Sequence, residues 1–262
     1  MIHLLIFLIC FCACTVGAIC GIGGGIIIKP ALDTFGIMSA STINFLSGCT
    51  VLAMTTYSFG KNKLAGTSKI DQATGIPLAL GAAIGGVFGK SLFQMIRSMS
   101  SDPTAISAIQ AACLVIITLG TLIYTIYKSR IHTHHVTNKL ACVVIGLLLG
   151  IMSSFLGIGG GPINLVVLGY FFGMDSKTAA ANSLYIILFS QSASLLATLV
   201  TGSVPEFRLG VLVLMVAGGI GGGILGRKLN KKMDNRAVDK LFICLMCLII
   251  AICVFNAVRA FA

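Results

Sequence analysis

The feature that most constrains this chain is the length of its apolar runs. They fall at about 2–20, 42–59, 74–95, 105–127, 139–156, 178–201, 207–226 and 240–259, each near the length an α-helix needs to cross a bilayer core. A soluble domain of 262 residues has no use for eight of them, and with 57% hydrophobic and 10% charged residues the chain has little polar surface to cover them. The first run, Met1 to Cys20, resembles the apolar core of a secretory signal. No Lys or Arg precedes it and no convincing small-residue cleavage site follows, so it is expected to stay as a helix. The ten cysteines all lie within apolar runs and read as small apolar fillers. Cys244 and Cys247 would share a helix face, which leaves a redox or soft-ligand role as their alternative.

Two glycine clusters punctuate this greasy sequence. Gly21-Ile22-Gly23-Gly24-Gly25 closes the first run, and the same five residues return at Gly157-Ile158-Gly159-Gly160-Gly161, 136 positions on, at the end of the fifth. Glycine is costly inside a helix and useful where the backbone must turn or let another group come close. Each cluster is followed by a run too short to span, Ile26 to Met38 and Pro162 to Met174. At about 1.5 Å per residue, these cover roughly half to two thirds of the hydrocarbon core. Later in each half, Gly81-Ala82-Ala83-Ile84-Gly85-Gly86-Val87-Phe88-Gly89-Lys90 aligns with Gly218-Gly219-Ile220-Gly221-Gly222-Gly223-Ile224-Leu225-Gly226-Arg227 at an offset of 137. Small residues every fourth position let helices approach closely in lipid, so packing is their expected role.

The positive charges decide how the short runs are counted. A net charge of +11 would suit nucleic acid, but the basic residues sit in short loops between apolar segments. With Lys29 set aside as intramembrane and the short runs ignored, the loops divide eight Lys and Arg against nine. If each short run returns the chain to the side it came from, the division becomes thirteen, from Lys61 to Lys240, against Lys90, Arg97, Arg208 and Arg259. The positive-inside rule selects the second arrangement, with both termini outside. The expected fold is an all-α polytopic integral membrane protein. It has eight long spans plus two short broken or re-entrant helices, related by an inverted internal repeat of five plus five. Residues 1–262 form one transmembrane transport domain: repeat 1 (1–127), a cytoplasmic linker (128–138) and repeat 2 (139–262). Broken helices in inverted repeats meet near the midplane and form binding sites.

A helix that starts inside the membrane leaves its first N–H groups unpaired and carries partial positive charge there, which makes an anion its natural partner. Pro162 suits the first turn of such a helix, whereas Pro30 falls a turn later and should kink the first short helix. Lys29 either adds a full positive charge to the site, or snorkels to the surface or pairs with Asp33. Its counterpart is Leu165. Asn164, Asn44 and Asn182 could orient a ligand or bond a neighbouring helix, and Gln191 lies deeper. No Asp or Glu falls mid-span to relay protons, and His132, His134 and His135 lie in the linker, where solvation is expected over metal binding. Neither cluster has the Gly-Lys-Ser/Thr ending of a phosphate loop, and no paired carboxylates or His-activated nucleophile argue for an enzyme.

Two copies of Gly-Ile-Gly-Gly-Gly, each closing a long apolar segment before a short one, with small-residue helices later in each half, resemble the TauE/SafE family of sulfite and organosulfonate exporters. The resemblance covers essentially the whole chain. It implies a plasma-membrane permease for small sulfur-containing or related organic anions. By motif match it carries over to Gly21, Gly23, Gly24 and Gly25, and to Gly157, Gly159, Gly160, Gly161 and Pro162. Lys29, Asn44, Asn164 and Asn182 enter the candidate site on the physical argument alone. The expected partners are a small anionic substrate and the lipid bilayer, with no nucleic acid, cofactor or metal; association into a homo-oligomer stays open. The expected mechanism is alternating access, and the other classes are an anion channel and a non-transporting membrane subunit of a larger complex.

Overall fold

The computed structural model describes residues 2–64, 72–99, 103–156 and 160–261. Among the described residues there is no strand. The helices are α1 (Ile2–Cys20), α2 (Gly25–Phe35), α3 (Ala40–Leu64), α4 (Gln72–Met99), α5 (Pro103–Tyr127), α6 (Lys139–Leu156), α7 (Gly161–Phe172), α8 (Ser176–Val200), α9 (Leu209–Lys232) and α10 (Asn235–Phe261). Each of the ten apolar runs is therefore a helix, and each glycine cluster ends a long helix and precedes a short one. α2 continues through Pro30.

By length and composition α1, α4, α6, α8, α9 and α10 can each cross a membrane, and α5 is apolar from Ala112 to Tyr127. α3 is long enough but the most polar of the long helices, with Thr42, Ser47, Thr50, Thr55 and Ser58 buried along it. Thr50 and Thr55 return their hydroxyls to the carbonyls of Leu46 and Val51, four residues back, while Asn44 Oδ1 and Ser58 Oγ are buried without a hydrogen-bond partner. The outer surface carries exposed Phe88 on α4, Ile116 on α5, Leu148 on α6, Leu196 on α8 and Val213 on α9. Water would make such a surface an aggregation liability, and lipid makes it unremarkable. The architecture is that of a polytopic membrane protein.

The packing interleaves the two halves. α1 lies along α9 and α6 along α4; α3 also touches α9 and α8 touches α4; α2 meets α10 and α7 meets α5. Each contact recurs when both partners are moved five helices along the chain. The glycine stripes form the closest seams. A Cβ on Gly81, Gly85 or Gly89 would overlap the backbone of Val143, Leu147 or Ile151 in α6, and one on Gly222 or Gly226 the carbonyls of Phe11 or Thr15 in α1. Backbones meet there without intervening side chains, where van der Waals contact substitutes for the hydrophobic effect as the attraction between helices. Five cysteines (Cys10, Cys14, Cys20, Cys142 and Cys253) are buried as apolar fillers, while Cys244 and Cys247 are exposed on α10.

Candidate functional site

The first break is a tight turn. Gly21 and Gly23 take φ of 78° and 74°, a left-handed conformation that only glycine adopts without strain. The Ile22 N–H donates to the Gly17 carbonyl at 3.0 Å, and the N–H groups of Ile27 and Ile28 donate to Gly24, each at 3.0 Å. Residues 21–25 are all buried. In the second break Gly160 has φ 68°, and Pro162 falls in the first turn of α7, where its missing N–H would have been unpaired in any case. Gly157 and Gly159 lie outside the described residues.

The two breaks meet. A Cβ on Gly161 would overlap the backbone of Ile22, and one on Gly21 the backbone of Ala180 in α8. On Gly24 it would stand 2.7 Å from Cys14 Sγ, and on Gly23, 3.3 Å from Ile187 Cδ1. Gly21 and Gly161 are thus required by the close approach of the two halves, and Gly24 by the packing of its turn against α1. Asn164 joins them: 1% exposed, it donates from Nδ2 to Ser183 Oγ at 3.4 Å, and its Oδ1 has no hydrogen-bond partner. Asn182, on the same stretch of α8, donates to the Thr178 carbonyl at 2.9 Å.

Lys29 neither snorkels nor bonds to Asp33. It is 8% exposed, and its Nζ donates to Gln110 Oε1 at 2.9 Å and to the carbonyl of Leu156, the last residue of α6, at 3.2 Å. Gln110 Nε2 donates to the Phe155 carbonyl at 2.6 Å. The last carbonyls of a helix have no partner within it, and burial makes that costly. Here a cation and an amide from the other half supply the partners, and the positive charge faces the negative end of the α6 dipole. At the corresponding end of α1 the device differs, with Asn230 Nδ2 donating to the Ile19 carbonyl at 2.6 Å.

Asn44 stands apart from the breaks. It shares a small chamber with Lys90, Gln110, Ser154 and Gln191 near the ends of α4, α6 and α8. A wider cavity of about 330 Å³ opens at the linker end, lined by Cys20, Leu165, Ser176 and Phe242 among others. At its rim Lys128 pairs with Asp239 at 2.5 Å, and Ser176 bridges them, accepting from Lys128 at 2.8 Å and donating to Asp239 at 2.7 Å. The linker is not a free loop: the N–H groups of His134 and Val136 donate to the Tyr170 and Phe171 carbonyls at the end of α7, at 2.8 and 2.9 Å. Its three histidines are exposed.

Along α8 the order is therefore the wide cavity at Ser176, the breaks at Ala180, Ser183 and Ile187, and the small chamber at Gln191. The family model described as sulfite exporter TauE/SafE matches residues 6–252. The chain belongs to the TauE/SafE family. Over 255 residues it is 24% identical to the probable membrane transporter protein YunE of Bacillus subtilis (strain 168), covering 86% of this chain and 87% of that one. No solved structure matches. A TauE/SafE chain with this fold is a multi-pass membrane transporter for a small-molecule substrate. Sequence reasoning missed Gln110, Asn230 and Ser154. The available signal was a polar side chain inside an apolar run, and the hidden part was the partner helix.

Proposed function

We propose that this protein is a plasma-membrane permease that moves a small anion, such as sulfite, thiosulfate, an organosulfonate or a related organic anion, by alternating access. The site lies where the two breaks meet: Gly21, Gly23, Gly24 and Gly25 from one half, and Gly160, Gly161 and Pro162 from the other, with Asn164 and Asn182 beside them; Gly157 and Gly159 join it by the sequence motif alone. Lys29 adds positive potential from the end of α6, and Asn44 belongs to the approach. The eight long helices cross the membrane, each short one carries the chain back to the side from which the preceding long helix set out, and the halves form an inverted five-plus-five repeat with both termini outside. The recurrence of helix contacts at an interval of five supports that symmetry, and the thirteen-to-four division of basic residues supports the orientation.

The observation that carries the reading is the contact of Gly161 with Ile22. It brings the positive ends of two half-helices, α2 and α7, to one buried locus, the arrangement by which broken-helix transporters hold anionic groups. Packed breaks between a cavity at one end of α8 and a chamber at the other favour rocking of the halves over a continuous pore. Counterflow into liposomes holding the purified protein, with sulfite, thiosulfate, organosulfonates and carboxylates as the panel, is the test. Saturable uptake of a sulfur oxyanion is expected, and loss of that uptake in Gly24→Leu with insertion retained. Currents far above transporter turnover in a planar bilayer would replace the permease with a channel.

A further inference from the structure

The wide cavity leads from the linker toward the breaks. Its mouth is at Lys128, Ser176 and Asp239, and its wall runs inward through Ala179 and Leu165 to Cys20. Cys20 directly precedes Gly21, and Ala179 directly precedes Ala180, whose backbone a Cβ on Gly21 would overlap. Ser176 and Ala180 are four residues apart on α8, so about one helical turn separates the mouth from the first break. Cys20 is nevertheless 0% exposed, and the inner end of the cavity is shut.

A link between two groups of elements spans the mouth. Lys128, where α5 gives way to the linker, pairs with Asp239 on α10 at 2.5 Å, and Ser176 at the start of α8 accepts from Lys128 at 2.8 Å and donates to Asp239 at 2.7 Å. The start of α8 is also tied to the start of α10 and the turn before it: Lys177 Nζ donates to the Met233 carbonyl at 2.8 Å, and the Lys177 N–H to Asn235 Oδ1 at 3.1 Å. On the other side, His134 and Val136 tie the linker to the end of α7 through the backbone, and Thr133 stands in the cavity wall. Linker and α7 therefore make one leaf, the starts of α8 and α10 make another, and Lys128 joins the two. We propose that Lys128, Ser176 and Asp239 form the linker-side gate of the transport pathway; the inference rests on the permease reading, since a gate needs a pathway. The strength of the link suits that role. With its side chains 37% and 24% exposed, the ion pair is screened by water and favours the closed mouth by about fivefold or less. A closure that weak opens during turnover, as alternation between two sides requires.

The experiment follows Cys20 in the full chain in lipid nanodiscs, labelled with N-ethylmaleimide and read cysteine by cysteine through mass spectrometry of the peptides. Lys128→Met and Asp239→Asn are each expected to label Cys20 about three to five times faster than wild type. The double variant should label no faster than the faster single, since either change already breaks the link. An electrostatic influence on the thiol alone would move the two singles in opposite directions, because one removes a positive charge and the other a negative one. Cys10, buried against α9, reacts only on unfolding, so its unchanged rate identifies folded variants; if Asp239→Asn does not fold, Asp239→Ser takes its place. Cys20 labelling equal to wild type, or shifted in opposite directions by the two singles, with wild-type anion counterflow intact, overturns the gate and leaves the permease. A wild type that takes up no member of the anion panel overturns both.

Discussion

The ends of α1 and α6 are counterparts 136 residues apart, and they are finished by different chemistry. At the end of α6, Lys29 and Gln110 take the carbonyls of Leu156 and Phe155. At the end of α1, the position matching Lys29 is Leu165, which packs among apolar neighbours, and Asn230 alone takes the carbonyl of Ile19. The backbone devices are duplicated: a left-handed glycine turn, a short helix, a glycine seam. The side chains that complete the helix ends are not. One half therefore sets a buried ammonium against a helix end and the other a neutral amide.

The largest test attacks what the halves share. Gly161→Leu would drive a side chain into the backbone of Ile22, which cannot yield as a side chain end can. It is expected to cost about 3 kcal/mol or more and to abolish uptake, with the thiol-reactivity melting curve moved to lower temperature. Gly120→Leu on α5, where nothing lies within 4 Å, is the matched control and should leave both measurements in place. Equal behaviour of the two would mean that contact between the breaks is not what requires glycine.

The next test separates the two ends. Lys29→Met strips the Leu156 carbonyl and Gln110 of their donor and is expected to destabilise by about 1–3 kcal/mol and to weaken anion affinity. Lys29→Gln, which can still donate, should recover part of the stability and not the affinity. Leu165→Met at the counterpart position conserves volume and should cost less than about 1.5 kcal/mol. Indistinguishable melting curves for Lys29→Met and Leu165→Met would erase the difference between the ends. The smallest effect belongs to Asn230→Leu, which leaves one carbonyl unpaired at about 1 kcal/mol without touching any charge, so KM should hold while the melting temperature falls.

Much of the fold was legible because lipid is a strict solvent. A crossing segment must satisfy its backbone internally and present apolar side chains outward, so its length and composition show in the sequence, and all ten runs became helices close to their expected limits. The glycine stripes also read correctly as packing, since a spacing of four marks one helix face. The site was legible only in part. Asn44 and Asn182 enter the candidate site on the same argument, yet one lines the chamber and the other lies on the stretch of α8 that meets the breaks. Lys29 invited pairing with Asp33, one turn away on its own helix, and found Gln110 and Leu156 instead, 81 and 127 residues distant.

By itself, then, the sequence determined that the chain is a duplicated, lipid-embedded helical bundle with a glycine break in each half, because periodicity and hydropathy are properties of a segment and its solvent. Tertiary structure decided which buried polar group answers which. That choice is made between helices far apart in the chain, where an unpaired carbonyl or hydroxyl is costly enough to select its partner and no local pattern names it.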